Sequence, residues 1–480
     1  MTLKTKKYIR LGLSLVLDAA VIGMIAYAIR FVLGLKGSDT VNYIILLSAV
    51  TLLILLTDQG IYAKLFSVLA VVFLPYVGMA ALVFSAFEKV YASIFLKRRF
   101  SAKNPCKKAL EKMSTDASDY INLARYVDYS TNFPPVYAED ATYFDNVDDY
   151  ISDILNSVRN AKKYVYMEFY IVKHGLYFSM LLTELFKALE RGVRVELTVD
   201  YFGTGKIDVT ESVRELKKAG ARVRVYRPPV AFLGLNFNFR THRKIVAVDG
   251  DKGYVGGINF FDDDKIKDSG LLLTGDAAKQ LENMIFRIEN RPPDYGYSEI
   301  DYGKGFIQPF SVSGNKTVEK IYLGILSTAK KEVMISSPYF CFSEEIECAL
   351  YYLLSSGVKV KILLPKNVSR AVRLVNSFYA EKLKKRGAEI FLYSDGFLHE
   401  KLLIADGKVA LCGSLNFDIR SQKYQIESGV IIYENSIIDE LLMDFSLSVA
   451  KSVRAEADDL KLNALSAICQ RMLALFSYFV

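Results

Sequence analysis

Two stretches of this 480-residue chain decide its fold: THRKIVAVDGDKGYVGGIN at 241–259 and LHEKLLIADGKVALCGSLN at 398–416. They align without a gap. His242 falls on His399, Lys244 on Lys401, Asp249 on Asp406 and Asn259 on Asn416, all at one constant offset. Four polar identities embedded in apolar runs mark an internal repeat. The match extends upstream, where AKKYVYMEFY at 161–170 pairs with AKKEVMISSPYF at 329–340, and ERGVRVELTVD at 190–200 with SSGVKVKILLP at 355–365. In the second pair a helix end, a glycine at the C-cap position and a strand follow in order.

From residue 147 the pattern alternates helix and strand. A helix is expected over Asp148–Arg159, a strand over Tyr164–Ile171, a helix over Phe178–Arg191 and a buried strand over Val193–Val199. Such alternation indicates an α/β fold. We therefore expect two tandem α/β repeats about a pseudo-twofold axis, a first over 147–310 and a second over 311–480. A polar connector with some helix spans 100–146.

In each copy the order is His-x-Lys, an apolar run (Ile245–Val248 or Leu402–Ala405) and Asp-Gly. On a strand, residues two apart share a face, so each His and Lys point the same way. Asp-Gly signals a turn, which assigns Asp249 and Asp406 to holding backbone. A second strand (Gly253–Gly257, Lys408–Gly413) then ends near Asn259 or Asn416, and a hairpin brings that Asn beside the His-Lys pair. A single His-x-Lys carries little meaning. Here, two of only three histidines sit in matched motifs; the third, His174, has no counterpart and is assigned to a loop.

Two histidines, two lysines and two asparagines meeting on a twofold axis make a site for a phosphodiester. The lysines and Asn amides stabilise charge on non-bridging oxygens. One neutral imidazole attacks phosphorus and the other, protonated, donates to the leaving alkoxide. Pseudo-symmetry leaves open which does which. No carboxylate or Cys/His set has metal-ligand spacing, and no metal or other cofactor is expected. Five scattered cysteines, Cys106, Cys341, Cys348, Cys412 and Cys469, contain no CxxC pair and support neither zinc nor a disulfide framework.

The first hundred residues differ in kind. Apolar stretches occupy 11–35, 41–57 and 65–87. A spanning helix needs about 20 apolar residues; the first and third qualify, the second is borderline. Basic residues flank both ends, Lys4, Lys6, Lys7 and Arg10 before, and Lys97, Arg98, Arg99 and Lys103 after. The positive-inside rule wants both flanks cytoplasmic, so two crossings are expected, with 41–57 re-entrant or interfacial. Residues 1–99 are thus read as a multi-pass anchor in the cell membrane, with the repeats on the cytoplasmic side. The net charge of +8 suits an anionic partner. Beside apolar spans that partner is anionic membrane lipid, and no nucleic acid is expected. The closing segment 458–480 reads equally as an amphipathic membrane contact or as a core helix of the second repeat.

The paired HxKxxxxD motifs resemble the signature of the phospholipase D superfamily. NFRTHRKIVAVDG followed by YVGGINFFDDD, and GFLHEKLLIADG followed by GSLNFDIRS with Glu427 beyond, are similar to the cardiolipin synthase branch, as are EFYI near 168, SSPYF near 336, Pro75-x-x-Gly78 and the closing RMLALFSYFV. The resemblance implies His242 as nucleophile, His399 as acid/base, and Lys244, Lys401, Asn259 and Asn416 as phosphoryl ligands. Asp249 and Asp406 complete the catalytic motifs, and Glu427 joins the substrate-binding set. It implies transfer of a phosphatidyl group from one phosphatidylglycerol to another. A hydrolase or nuclease of the superfamily and a scaffold with a decayed site are the alternatives. Ser343 and Gln425 depart from the residues the family tends to carry there, Asp and Asn.

Overall fold

The computed structural model describes residues 120–137, 140–204, 210–226, 240–263, 265–288, 305–313 and 316–456. Two compact units divide the chain, Met1–Ser93 and Ile94–Val480, and every described residue belongs to the second. The three apolar stretches and the closing segment 458–480 lie outside the described residues. Among the described residues no helix is long and apolar enough to cross a membrane.

The first part contains α1 (Ile121–Thr131), β1 (Ala141–Phe144), α2 (Val147–Asn160), β2 (Tyr164–Phe169), α3 (Leu176–Glu190), β3 (Arg194–Asp200), α4 (Tyr201–Thr204) and α5 (Thr210–Lys218). It continues through β4 (Arg222–Tyr226), β5 (Ile245–Val248), β6 (Lys252–Gly256), β7 (Ile266–Lys267), β8 (Gly270–Thr274) and α6 (Gly275–Ile288). The second part contains β9 (Phe306–Ser313), α7 (Thr317–Thr328), β10 (Glu332–Ser336), α8 (Glu344–Ser355), β11 (Lys359–Pro365), α9 (Arg370–Lys384), β12 (Glu389–Tyr393) and β13 (Phe397–Leu398). It ends with β14 (Leu402–Ala405), β15 (Val409–Gly413), α10 (Ile419–Lys423), β16 (Ile426–Tyr433), α11 (Ile437–Ala450) and β17 (Ser452–Arg454).

Two sheets result, and they are duplicates. One runs β1-β8-β6-β5-β2-β3-β4; the other runs β9-β16-β15-β14-β10-β11-β12 and adds β17 at its edge. In both, the three strands joined by helices are parallel and the rest antiparallel. The motif hairpins share one register, Ile245 opposite Val255 and Leu402 opposite Cys412. Along β2, Val165, Met167 and Phe169 enter a core of the first copy with α2 and α3, whereas Tyr166 enters a core continuous with the second copy. That alternation is the period-2 pattern of a strand buried on both faces.

The domain limits differ from expectation. Ala141–Phe144, placed in the connector, is the edge strand β1 of the first sheet. Phe306–Ser313, cut by the expected boundary after 310, is one strand of the second sheet. The His-x-Lys tripeptides precede β5 and β14 rather than lying inside them.

Asp249 and Asp406 have positive φ (56° and 54°), as do Gly250 and Gly407 after them (78° and 64°). Consecutive left-handed residues are what a tight hairpin turn requires, and Asp-Gly supplies them with little strain. The Asp249 carboxylate accepts N–H bonds from Lys162, Lys163 and Tyr164, each at 2.8 Å. Asp406 accepts the matching bonds from Lys330, Lys331 and Glu332 at 2.7–2.8 Å. Both carboxylates thus hold backbone, as the Asp-Gly turn implies. They sit at the far end of the strand from the histidines, roughly 20 Å away along an extended chain. Burial opposes ionisation of Asp406, yet the three N–H donors hold its carboxyl below the usual carboxylate range. Asp406→Ala is expected to lower unfolding free energy by about 2 kcal/mol, measured by urea denaturation, with turnover per folded molecule little changed. This contribution is present at neutral pH and is lost only as pH falls through the depressed pKa.

Candidate active site

The segment entering each motif pairs in parallel with the other copy. Thr241 bridges Ile426, and Phe397–Leu398 pairs with Ile266–Lys267. His242 N–H donates to the Ile426 carbonyl at 2.8 Å, and His399 N–H to the Lys267 carbonyl at 2.7 Å. Each motif is thus held at the interface by the strand of its opposite.

The same strands deliver carboxylates. His242 Nδ1 lies 3.1 Å from Glu427 Oε2 and 3.0 Å from the Ser414 carbonyl. His399 Nδ1 lies 2.5 Å from Asp268 Oδ2. Both acceptors of His242 require Nδ1 to carry its proton, which leaves Nε2 with a free lone pair. Among the described residues neither Nε2 has a hydrogen-bond partner. Asp268 is the first-copy counterpart of Glu427: one lies just before β8, the other on β16, the strands that follow the two motifs. Sequence comparison missed it because the segments from Asn259 to Asp268 and from Asn416 to Glu427 differ in length. The copies also differ behind the carboxylates. Ser414 Oγ and Ser421 Oγ donate to Glu427. At the position matching Ser414 stands Gly257, where a Cβ would overlap the Asp268 carboxylate.

Lys244 and Lys401 are buried, and the ammonium of each bonds the carbonyl of its motif histidine. Lys401 Nζ also lies 2.7 Å from His399 Nδ1. The four motif groups act on one another across the interface. Burial first, then Lys244, Lys401 and His399, hold His242 well below the usual imidazole range. Burial and Lys401 bring His399 down to about 4, against the pull of Asp268. Burial and Lys401 bring Lys244 down to about 7, opposed by Glu427 and Asp268, and burial brings Lys401 to about 8. Burial lifts Glu427 to about 7, against the attraction of Lys244. Burial also works against Asp268, but Lys401 and His399 overcome it and keep its carboxyl low.

A buried ammonium that a second lysine destabilises favours a negative charge beside it. A bound phosphodiester raises the Lys244 pKa, so the affinity of an inert phosphonate analogue is expected to fall as pH rises through about 7 to 8 and Lys244 loses its proton. Titration calorimetry between pH 6 and 9 measures this; a flat profile contradicts it.

Hairpin register puts Asn259 and Asn416 three residues past the positions opposite the lysines. Asn259 Oδ1 accepts from Ile171 N–H at 3.0 Å, fixing the loop after β2. The Asn416 amide bonds Asp418, and its Oδ1 is buried without a hydrogen-bond partner among the described residues. Neither Asn bonds an imidazole or a motif lysine among the described residues. Tyr170, not assigned a role from sequence, stands edge-on to His242 with ring centroids 5.0 Å apart, and its ring lies 5.5 Å from Lys244 Nζ. Ser343 caps α8, accepting from Ile346 N–H, a role Ser and Asp fill equally well. That departure from the family pattern is neutral for the fold. Gln425 lies within hydrogen-bond distance of Ser421 Oγ. His174 meets Phe178 of α3 edge-on, with ring centroids 5.9 Å apart.

Residues 154–274 and 322–447 match the protein family described as cardiolipin synthase, PLD-like domain. An uncharacterized protein of Streptococcus mutans serotype c is 26% identical over 82% of this chain and 91% of its own length. A cardiolipin synthase of Clostridium perfringens is 31% identical over 70% of this chain and 75% of its own. Among solved structures, phosphatidylserine synthase of Haemophilus influenzae Rd KW20 superposes with a TM-score of 0.58 at 14% identity, covering 73% of this chain and 96% of that one. The last likeness is one of fold.

Proposed function

The chain belongs to the family of cardiolipin synthase phospholipase D-like domains, and from that premise we propose that it is a phosphatidyltransferase that joins two phosphatidylglycerols into cardiolipin. The observation that carries this reading is the pair of imidazoles, each held through Nδ1 by a carboxylate of the opposite copy, with the buried lysines Lys244 and Lys401 acting on them. His242 Nε2 attacks phosphorus, and the P–O bond to the terminal glycerol breaks as the P–N bond forms. His399, protonated once the substrate anion is bound, gives its proton to the departing glycerol oxygen. The hydroxyl of a second phosphatidylglycerol then loses its proton to His399 and attacks phosphorus, and the P–N bond breaks. Lys244 and Lys401 stabilise charge on the non-bridging oxygens in both steps. One phosphodiester replaces another, so no nucleotide is consumed.

Purified chain in phosphatidylglycerol vesicles should release glycerol and cardiolipin in equal amounts. Phosphatidic acid alone would make the protein a hydrolase, and an inert lipid pool would make it a scaffold. We also propose that the apolar segments within residues 1–99 anchor the enzyme in the cell membrane, with its repeats on the cytoplasmic side. A reporter fused after Arg99 tests this, and an extracytoplasmic signal would reject it.

A further inference from the structure

Behind His399 lies a cluster of ionisable groups for which the reaction above has no use. It begins at the residue between His and Lys, which points away from its two neighbours. In the first motif that residue is Arg243, whose guanidinium binds Glu168 of β2, the Met284 carbonyl at 2.9 Å and Ser311 Oγ of β9 at 3.1 Å. In the second it is Glu400, fully buried. The nearest cation to Glu400 is Lys267 of the first copy, 3.6 Å away. Lys267 Nζ also lies 2.7 Å from Asp444 of α11 and 2.6 Å from the Asp145 carbonyl, and Tyr143 of β1 donates to Asp444 at 2.6 Å. The middle residues of the two motifs are a base and an acid, and both reach into the other copy.

Lys267 occupies a telling place. Its backbone carbonyl accepts the His399 N–H, and the next residue, Asp268, holds the His399 ring. One dipeptide therefore grips this histidine by main chain and side chain together. The strand that carries it, β7, is two residues long and pairs only with the equally short β13. Glu427, the partner of His242, sits instead in the eight-residue β16, paired on both sides with β15 and β9. The Asp268 side has less sheet around it, although Gly257 N–H still donates to the Ser269 carbonyl at 3.0 Å.

We propose that Lys267 is a positioning residue for His399: its ammonium, clamped between Glu400 and Asp444, locks the short strand that presents Asp268 to the imidazole. The clamp closes electrically. Burial and the neighbouring Asp444 lift Glu400 to about 8, so the two carboxyls keep one proton at neutral pH and their single charge balances Lys267. The other polar groups facing Glu400 among the described residues are Ser336 and, further off, Cys412, Tyr143, Tyr393 and Lys401.

This rests on reading His399 as the acid that protonates the leaving group. A positioning fault at His399 then spares only the first step, P–N bond formation, and only when the leaving group needs no proton. Lys267→Met in the full chain is expected to slow glycerol release from phosphatidylglycerol vesicles at least tenfold. The first-turnover burst of p-nitrophenol from bis(p-nitrophenyl) phosphate, a leaving group that departs unaided, should slow less than threefold, and Lys267→Arg should restore both rates. If Lys267→Met does not fold, Lys267→Met/Asp444→Asn removes the charge that Lys267 balances and should show the same split. Equal losses on both substrates, or none, would overturn the proposal. His399→Ala run in parallel separates the two ideas. Should it discriminate between the substrates while the Lys267 variants do not, only the clamp fails; should it not discriminate, the acid role itself fails, and the clamp with it.

Discussion

Replacing His242 with alanine is expected to lower phosphatidyl transfer by about 10⁴-fold or more, because no other group can accept phosphorus in its place. His399→Ala should behave differently. With a p-nitrophenyl donor it should still form the P–N bond and then stall, leaving an acid-labile, alkali-stable phosphoramidate on His242. Quenching with a labelled donor and mapping the labelled peptide distinguishes the two histidines. The prediction commits to one of two pseudo-symmetric assignments, and the environments of the rings favour it. His242 is held neutral by burial and by both lysines, so its Nε2 lone pair is available throughout the neutral range. Its carboxylate partner is already engaged by two serine hydroxyls, which weakens its pull on the Nδ1 proton. His399 faces a carboxylate kept ionised by Lys401 and by His399 itself, and is the ring better able to hold an extra proton. Label on His399 in His242→Ala protein would reverse the assignment.

The duplicated architecture could be read from sequence because the motif lies in a hairpin whose register cannot slip. A one-residue shift would turn every side chain to the other face, so His, Lys, Asp-Gly and Asn recur at fixed intervals. Features without that constraint were not legible. The four-residue edge strand Ala141–Phe144 has too short a pattern to separate from a polar connector. Phe306–Ser313 contains Pro309, which speaks against a central strand; the structure places it at a sheet edge, where a missing N–H is tolerated. The strands begin one residue after each lysine because Thr241 and Phe397–Leu398 are taken up by pairing across the copies. No single-copy periodicity contains that information. Glu400 is not legible for the same reason: its cation, Lys267, comes from the other copy.

Asp268 was invisible for a different reason, and its removal should have the second largest effect. Asp268→Asn is expected to reduce kcat/KM on phosphatidylglycerol by about 10²- to 10⁴-fold, the range in which a carboxylate behind a catalytic imidazole acts. Asparagine keeps the size of the side chain and can still accept from His399 Nδ1. It cannot stabilise the imidazolium. It also leaves Lys401, 3.7 Å from Asp268 and 2.7 Å from the ring nitrogen, without its counter-charge, so the lysine presses harder on His399. The sign follows: Asp268 raises the His399 pKa, its loss lowers it, and the residual activity should move its optimum to lower pH. Glu427→Gln should be milder, near tenfold, because burial already lifts that carboxyl to about 7 and the hydroxyls of Ser414 and Ser421 can turn to accept from an amide. Steady-state kinetics of both variants between pH 5 and 8 decide the matter. A larger loss in Glu427→Gln than in Asp268→Asn would mean that the ring facing Glu427 does the acid–base work and that His399 is the nucleophile.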